Sequence, residues 1–238
     1  MYNKKVLGII LDSIPLFETD KRLVILTKEL GKIVVIAKGA RNIKSKYMAK
    51  TDVFVFGEFE IIETSKMNKL VSINVQNYYR EITKNFDVMV MCTYFCQIIS
   101  KVLPENQPEV DVMRLLYFSI DSLVKDENLL KIIKPIFLIK LIQFLGFMPL
   151  IQYNKEYLKY DYDGENIVYN KFGFITKELL EKIVFIFKTN IVNIFKLNFT
   201  EQEVECLEKL SKLILRNNIS FAVSELDKKI FEVYYVKW

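Results

Sequence analysis

The first 75 residues alternate short apolar, β-branched runs with short polar breaks, a pattern typical of strands joined by tight turns. Gly31 can supply the positive φ of a tight turn, and Gly57 indicates a bulge inside a strand. Because short strands in so few residues leave no room for a long helix, we expect a small antiparallel barrel. The pattern predicts strands at residues 6–14, 21–27, 32–37, 53–62 and 70–75.

Beyond residue 80, the apolar positions change from the spacing of strands to the spacing of helices. Thr176 is a candidate N-cap for one helix, and Thr200 with Glu203 has the spacing of a capping box for the next. Residues 150–175 are polar and aromatic, and Asp163-Gly164 within them indicates a β-hairpin. The predicted helices cover residues 86–103, 109–124, 129–147, 177–188 and 201–215, with a partly helical stretch at 221–238.

These patterns predict an α+β protein with two domains, a five-stranded barrel formed by residues 1–80 and a mainly helical domain formed by residues 81–238. A hydrophobic content of 51% is sufficient for a buried core. Residues 1–80 hold 14 Lys and Arg against 8 Asp and Glu, a net charge of +6, which leaves 20 against 21 for the remainder. A basic first domain and a nearly neutral second one suggest a polyanion-binding unit joined to a partner-binding unit.

The positive charge is densest in residues 38–50, which we call the basic segment. This stretch of 13 residues has five cations and no anion, and its composition predicts a flexible loop after the third strand. Cations beside phosphates release counterions and so bind nucleic acids without sequence preference. Only five of the 34 cations in the chain are arginines, so Arg41 is stronger evidence for a phosphate-binding site than any single lysine. Candidate contacts are Lys21, Arg22, Lys38, Arg41, Lys44, Ser45, Lys46, Tyr47 and Lys50, with Tyr47 as the candidate to stack on a base.

Composition argues against an enzyme. The chain has no histidine, which excludes Ser–His and Cys–His nucleophile pairs, and its seven glycines form no phosphate-binding motif. Glu58 and Glu60 lie on one face of a strand, but no third carboxylate accompanies them as a metal-dependent nuclease would require. Cys92, Cys96 and Cys206 lie in apolar runs, typical of reduced core thiols. We expect no catalysis, no cofactor and no metal, and a soluble cytoplasmic protein without a signal peptide or membrane span.

Several short segments of the chain form a recognisable set. The most specific is Ala37-Lys38-Gly39-Ala40-Arg41 with Ser45-Lys46, and the set includes Phe17 and Glu18-Thr19-Asp20-Lys21. It also includes Gly8-Ile9-Ile10-Leu11, Leu26-Thr27 before Gly31-Lys32, and Leu145-Gly146-Phe147-Met148-Pro149. Together these segments resemble the RecO family of recombination mediators. The resemblance implies an N-terminal OB-fold and a helical C-terminal domain. It also implies single- and double-stranded DNA binding, ATP-independent strand annealing, and partnership with RecR and with the tail of single-strand binding protein, which together help load RecA.

The chain departs from that family at one place. Many members carry a four-cysteine zinc module after the segment that resembles Leu145–Pro149, whereas residues 150–174 here contain neither cysteine nor histidine. We therefore expect a zinc-less hairpin insertion near residues 150–175. Packing of Tyr153, Tyr157, Tyr160 and Phe172 is expected to take the place of the metal.

The leading hypothesis is a DNA-binding mediator of recombinational repair that works by charge and stacking. One alternative is an RNA-binding or ribosome-associated barrel protein with the same electrostatics. Another is an adaptor whose basic segment is incidental and whose helical domain binds proteins. Large side chains in the predicted helices leave room for an exposed groove that would take a partner peptide. These side chains are Tyr94, Phe95, Phe137, Phe144 and Phe147.

Overall fold

The computed structural model describes residues 3–64 and 67–219, and the chain divides into two compact units between Met113 and Arg114. Five strands close into a barrel in the order β1-β2-β3-β5-β4. Neighbouring strands are antiparallel except β3 and β5, whose short parallel pairing closes the barrel. The strands are β1 (Asn3–Leu16), β2 (Asp20–Thr27), β3 (Gly31–Ala37), β4 (Phe56–Ile62) and β5 (Asn68–Asn77). The predicted OB-fold followed by helices is therefore confirmed.

The barrel interior is filled by the alternate side chains that each strand turns inward, among them Ile10, Leu23, Val35 and Phe59. The bulge expected at Gly57 is confirmed, because the register of β4 against β5 shifts there. The fourth strand begins later than predicted, since Phe54 is buried in a left-handed conformation with φ of 73°. The first three residues of the strand predicted at 53–62 therefore lie outside β4.

Helix α1 (Phe86–Val102) belongs to the same compact unit as the barrel and packs against β1. The chain after α1 returns to the start of β3, where the amide of Asn106 donates to the carbonyl of Lys32 at 2.9 Å. The ammonium of Lys32 donates to the carbonyl of Ser100 at 2.5 Å, and burial lowers the pKa of this lysine. The compact unit thus extends beyond the barrel, and a domain boundary near residue 80 stays a prediction.

The second unit combines helices with a small four-stranded sheet. Helix α3 packs against α4 and α6, and the predicted N-cap at Thr176 and capping box at Thr200 and Glu203 are both present. The helices are α2 (Val110–Lys125, which begins in the first unit), α3 (Leu130–Phe144), α4 (Lys177–Lys188), α5 (Ile191–Ile194) and α6 (Glu201–Asn218). Within the described residues, no helix combines the length and hydrophobicity that a membrane span requires. The stretch 221–238, predicted to be partly helical, lies outside the described residues.

The small sheet contains the hairpin predicted at Asp163-Gly164, and its strand order is β6-β8-β7-β9. Its strands are β6 (Leu150–Ile151), β7 (Lys159–Tyr162), β8 (Asn166–Tyr169) and β9 (Ile175–Thr176). Tyr153 stacks on the fully buried Tyr160 with ring centroids 6.4 Å apart, and Tyr157 stacks on Tyr169 at 4.0 Å. Phe172 does not take part in this packing, contrary to the prediction. It lies on a turn, and 87% of its surface is exposed.

Residues 150–176 contain neither histidine nor cysteine, so the strands of the sheet supply no thiolate or imidazole ligand for a zinc module. Cys92 and Cys96 are buried in α1, where desolvation raises the pKa of the Cys92 thiol to about 12. In residues 3–64 and 67–219, no cluster of three or more His, Cys, Asp and Glu side chains is placed to hold a metal ion.

Candidate nucleic-acid interface

Hydrogen bonds fix the start of the basic segment to the tip of the β1–β2 hairpin. The amide of Gly39, at φ of 65°, donates to the Asp20 carboxylate at 2.8 Å. The amide of Arg41 donates to the carbonyl of Thr19 at 2.8 Å, and its guanidinium Nη1 donates to the carbonyl of Phe17 at 2.9 Å. The bonds from Gly39 and from the Thr19 hydroxyl hold the pKa of Asp20 below its usual value. Residues 17–20 and residues 39–41, which both belong to the segments that resemble the RecO family, are thus held together by hydrogen bonds.

The rest of the basic segment, which was predicted to be a flexible loop, is a series of hydrogen-bonded turns. The amide of Ser45 donates to Asn42 at 2.8 Å, and that of Met48 donates to Ser45 at 3.3 Å. A short 3-10 helix, Ala49–Thr51, ends the series. Because backbone hydrogen bonds hold each turn, the Cα atoms of the cationic residues in the segment have defined positions.

The turns and strand β2 surround an open concavity of about 560 Å³ on the barrel surface. It brings together five of the nine residues predicted from sequence, which are Lys21, Arg41, Ser45, Lys46 and Lys50. Ala40, Met48, Ala49, Asp52 and Tyr78 complete its lining. Four cations against one carboxylate give the concavity a positive potential that suits a phosphate backbone.

Not all of these cations are equally available. The Lys21 ammonium pairs with the Asp52 carboxylate at 2.9 Å, and only 16% of the Lys21 side chain is exposed. This lysine therefore holds β2 to the end of the basic segment. Arg41, Lys46 and Lys50 carry the remaining positive charge of the lining, and Lys38 and Lys44 lie exposed on the same segment outside it.

Arg22 does not line the concavity. Adjacent residues of a strand point to opposite faces, so Lys21 and Arg22 cannot both face the same surface. The positive charge of Arg22 instead contributes to the lowered pKa of Lys32. A contact between Arg22 and nucleic acid stays a prediction, but on a different face from the concavity.

Tyr47, predicted to stack on a base, is half-buried. Its ring packs against the barrel core, and its hydroxyl donates to the carbonyl of Val71. The Lys46 ammonium lies 5.1 Å from the ring centroid. These contacts anchor the middle of the basic segment to the barrel, so the ring offers less surface for stacking than its place in the sequence suggested. Sequence reasoning missed Asp52 and Tyr78, because only closure of the barrel brings them to this site.

A second concavity, of about 770 Å³, lies in the helical unit and is mainly apolar. We call it the apolar groove. Its lining includes the exposed side chains of Met148, Leu150, Tyr153 and Phe185. The complete lining is Gln143, Met148, Pro149, Leu150, Ile151, Tyr153, Glu181, Val184, Phe185, Phe187 and Lys188.

Part of the apolar groove is formed by the C-terminal end of α4, which is held by hydrogen bonds. The buried Lys140 ammonium donates to the carbonyls of Ile186, Phe187 and Thr189 at 2.8, 3.1 and 3.0 Å, which caps this helix terminus. The groove is not formed by the five large side chains from which one was predicted. Three of those, Tyr94, Phe95 and Phe137, are buried.

Comparison with known proteins identifies relatives over most of the chain. The family described as Recombination protein O N terminal matches residues 1–79, and Recombination protein O C terminal matches residues 84–154. The DNA repair protein RecO of Acetivibrio thermocellus is 24% identical over 238 residues, covering 94% of each chain. That of Caldicellulosiruptor saccharolyticus is 26% identical over 231 residues, covering 90% of this chain and 94% of its own. That of Caldanaerobacter subterraneus is 30% identical over 151 residues, covering 62% of this chain and 60% of its own.

Proposed function

Since the chain belongs to the RecO family of DNA repair proteins, we propose that it is a cytoplasmic recombination mediator that binds single- and double-stranded DNA and anneals complementary strands. With RecR, it would help load RecA on strands coated by single-strand binding protein. The observation that carries this proposal is the cationic concavity on the OB-fold barrel, whose basic segment is fixed to the β1–β2 hairpin. It would act by charge and stacking, without covalent catalysis.

The site suits annealing for an electrostatic reason. Two complementary strands repel each other through their phosphates, and a protein that neutralises one backbone lowers this repulsion. Arg41, Lys46 and Lys50 would hold phosphates, and the amide and hydroxyl groups of the turns would position them. Because the concavity is open rather than enclosed, the bases of a bound strand stay accessible to a second strand.

The proposed function is tested by annealing of complementary oligonucleotides without ATP, together with competition between DNA and RNA of equal sequence. We expect faster annealing in the presence of the protein and preferential binding of DNA. Equal or tighter binding of RNA would favour an RNA-binding role instead. Absence of any bound DNA at low salt would favour an adaptor whose basic segment is incidental.

We further propose that the tail of single-strand binding protein docks in the apolar groove. Contiguous exposed apolar side chains are typical of protein-binding surfaces, and the rim provides Lys188 and Glu181 for polar contacts. A peptide bound there would bring the protein to coated strands while leaving the barrel surface for DNA. We propose RecR as the second partner and assign no surface of the protein to it.

Leu150→Glu is expected to weaken binding of a labelled tail peptide by at least tenfold, because it places a charge in the apolar groove. Leu150 is 73% exposed, so the fold should be unaffected. Leu158→Glu is the matched control, since Leu158 is 72% exposed and lies outside the groove lining. Fluorescence anisotropy measures both affinities. Equal affinities for the two variants would rule out the groove as the docking site.

A further inference from the structure

Phe17 is an aromatic side chain displayed at the tip of the β1–β2 hairpin. The last pair of the hairpin is Leu16 with Asp20, so Phe17 begins the turn that joins the two strands. Phe17 is 82% exposed, although its side chain is fully apolar. A single exposed apolar residue is ordinary in itself. Two further observations distinguish this one.

The first is the backbone of Phe17, which has φ of 52°. The left-handed region is unfavourable for bulky side chains, and turns that need it usually contain glycine or asparagine. A phenylalanine at this position does not lower the backbone strain of the turn, and it does not contribute to the hydrophobic core. Its strain and its exposure together indicate a role outside the fold itself.

The second is the bond between Phe17 and the candidate interface. The Phe17 carbonyl accepts a hydrogen bond from Arg41 Nη1 at 2.9 Å. The carbonyl of Thr19, in the same turn, accepts a hydrogen bond from the Arg41 backbone amide at 2.8 Å. An exposed ring and an exposed cation are therefore held on one small, hydrogen-bonded unit. An unpaired nucleotide presents the matching pair of groups, a π-face and a phosphate.

We propose that Phe17 stacks on an unpaired base of a single strand whose phosphate backbone is bound by Arg41 and its neighbours. The inference rests on the proposed nucleic-acid binding of this surface and adds to it the group that contacts the base. Aromatic stacking accepts any base, so this contact adds affinity without sequence preference. Bases stacked within a duplex are not available to Phe17, so the contact favours single strands over duplex.

The test compares Phe17→Ala with the wild-type protein on a single-stranded oligonucleotide, an abasic strand of the same length, and a duplex. We expect roughly a tenfold loss of affinity for the single strand. The abasic strand and the duplex should show little change. The slope of log K against log salt should stay the same, because no phosphate contact is lost. Phe172→Ala is the matched control, an 87% exposed aromatic of the helical unit, and should leave all affinities unchanged.

Two further variants separate stacking from effects on the turn. Phe17→Asn suits a positive φ, so it should preserve or raise thermal stability while losing the same affinity as Phe17→Ala. Phe17→Trp should retain binding, and its added fluorescence should be quenched by the single strand. Unchanged single-strand affinity of Phe17→Ala, or an equal loss on abasic and duplex DNA, would overturn the role of Phe17 but leave the proposed function standing. A wild-type protein that binds no single strand would overturn both.

Discussion

Reversing charge at Lys38, Arg41, Lys44 and Lys46 is expected to weaken single-strand binding several hundredfold at about 0.1 M salt. Each phosphate contact on a single strand releases about 0.7 of a counterion, which at that salt is worth about fivefold in affinity. Four such contacts multiply to about 600-fold. The slope of log K against log salt should fall by about 3, and annealing of complementary strands should be lost with it. Fluorescence anisotropy over a salt series measures both quantities.

A matched control separates the local site from the overall charge. Lys131, Lys155, Lys159 and Lys196 are exposed lysines of the helical unit, and reversing these four also changes the formal net charge from +5 to −3. The control variant should keep most of its affinity and its salt slope. Lys21 is left intact in both variants, because its pair with Asp52 stabilises the site. Equal losses in the two variants would assign binding to net charge, and an unchanged salt slope in the first would exclude the basic segment.

The barrel could be predicted from sequence because each strand turns one apolar face inward, and a period of two is visible in any single strand. The details of the site were not visible in the same way. The pairing of Lys21 with Asp52 joins residues 31 positions apart, and it exists only because the barrel brings the end of the basic segment to β2. Sequence placed Lys21 and Arg22 together as neighbours, whereas the alternation of a strand separates them.

Aromatic residues were the least predictable, because a backbone conformation decides whether they are buried or displayed. Phe54 was expected on a strand, yet its positive φ turns it into the core before β4 begins. Phe172 was expected to pack, yet its turn exposes it. Tyr47 was favoured as the stacking residue from its place among cations, although its hydroxyl is tied to Val71. Phe17, on another segment, has an exposed ring, and its backbone carbonyl accepts a hydrogen bond from Arg41.

Gly31→Ala is expected to lower the stability of the first unit by about 2–6 kcal/mol, the largest stability effect we expect from adding a single methyl group to the barrel. Gly31 has φ of 70°, and a Cβ there would lie 1.8 Å from the carbonyl oxygen of Gln107. Backbone strain of about 1–3 kcal/mol adds to overpacking of about 1–3 kcal/mol. At roughly 2–4 °C per kcal/mol, the melting temperature should fall by about 4–24 °C in thermal unfolding followed by circular dichroism.

Gly39→Ala is the control within the same unit, because Gly39 has a similar φ of 65° but a Cβ there would meet only the end of the Asn42 side chain at 3.3 Å. This variant carries the backbone strain without a backbone collision, so its loss should be only the strain of about 1–3 kcal/mol. The difference between the two isolates the contact between residues 105–107 and β3. In Gly31→Ala, the Asn106 amide should also exchange its hydrogen faster, because it loses its bond to the Lys32 carbonyl. Equal melting temperatures and an unchanged Asn106 exchange rate would show that this contact does not hold the end of α1 to the barrel.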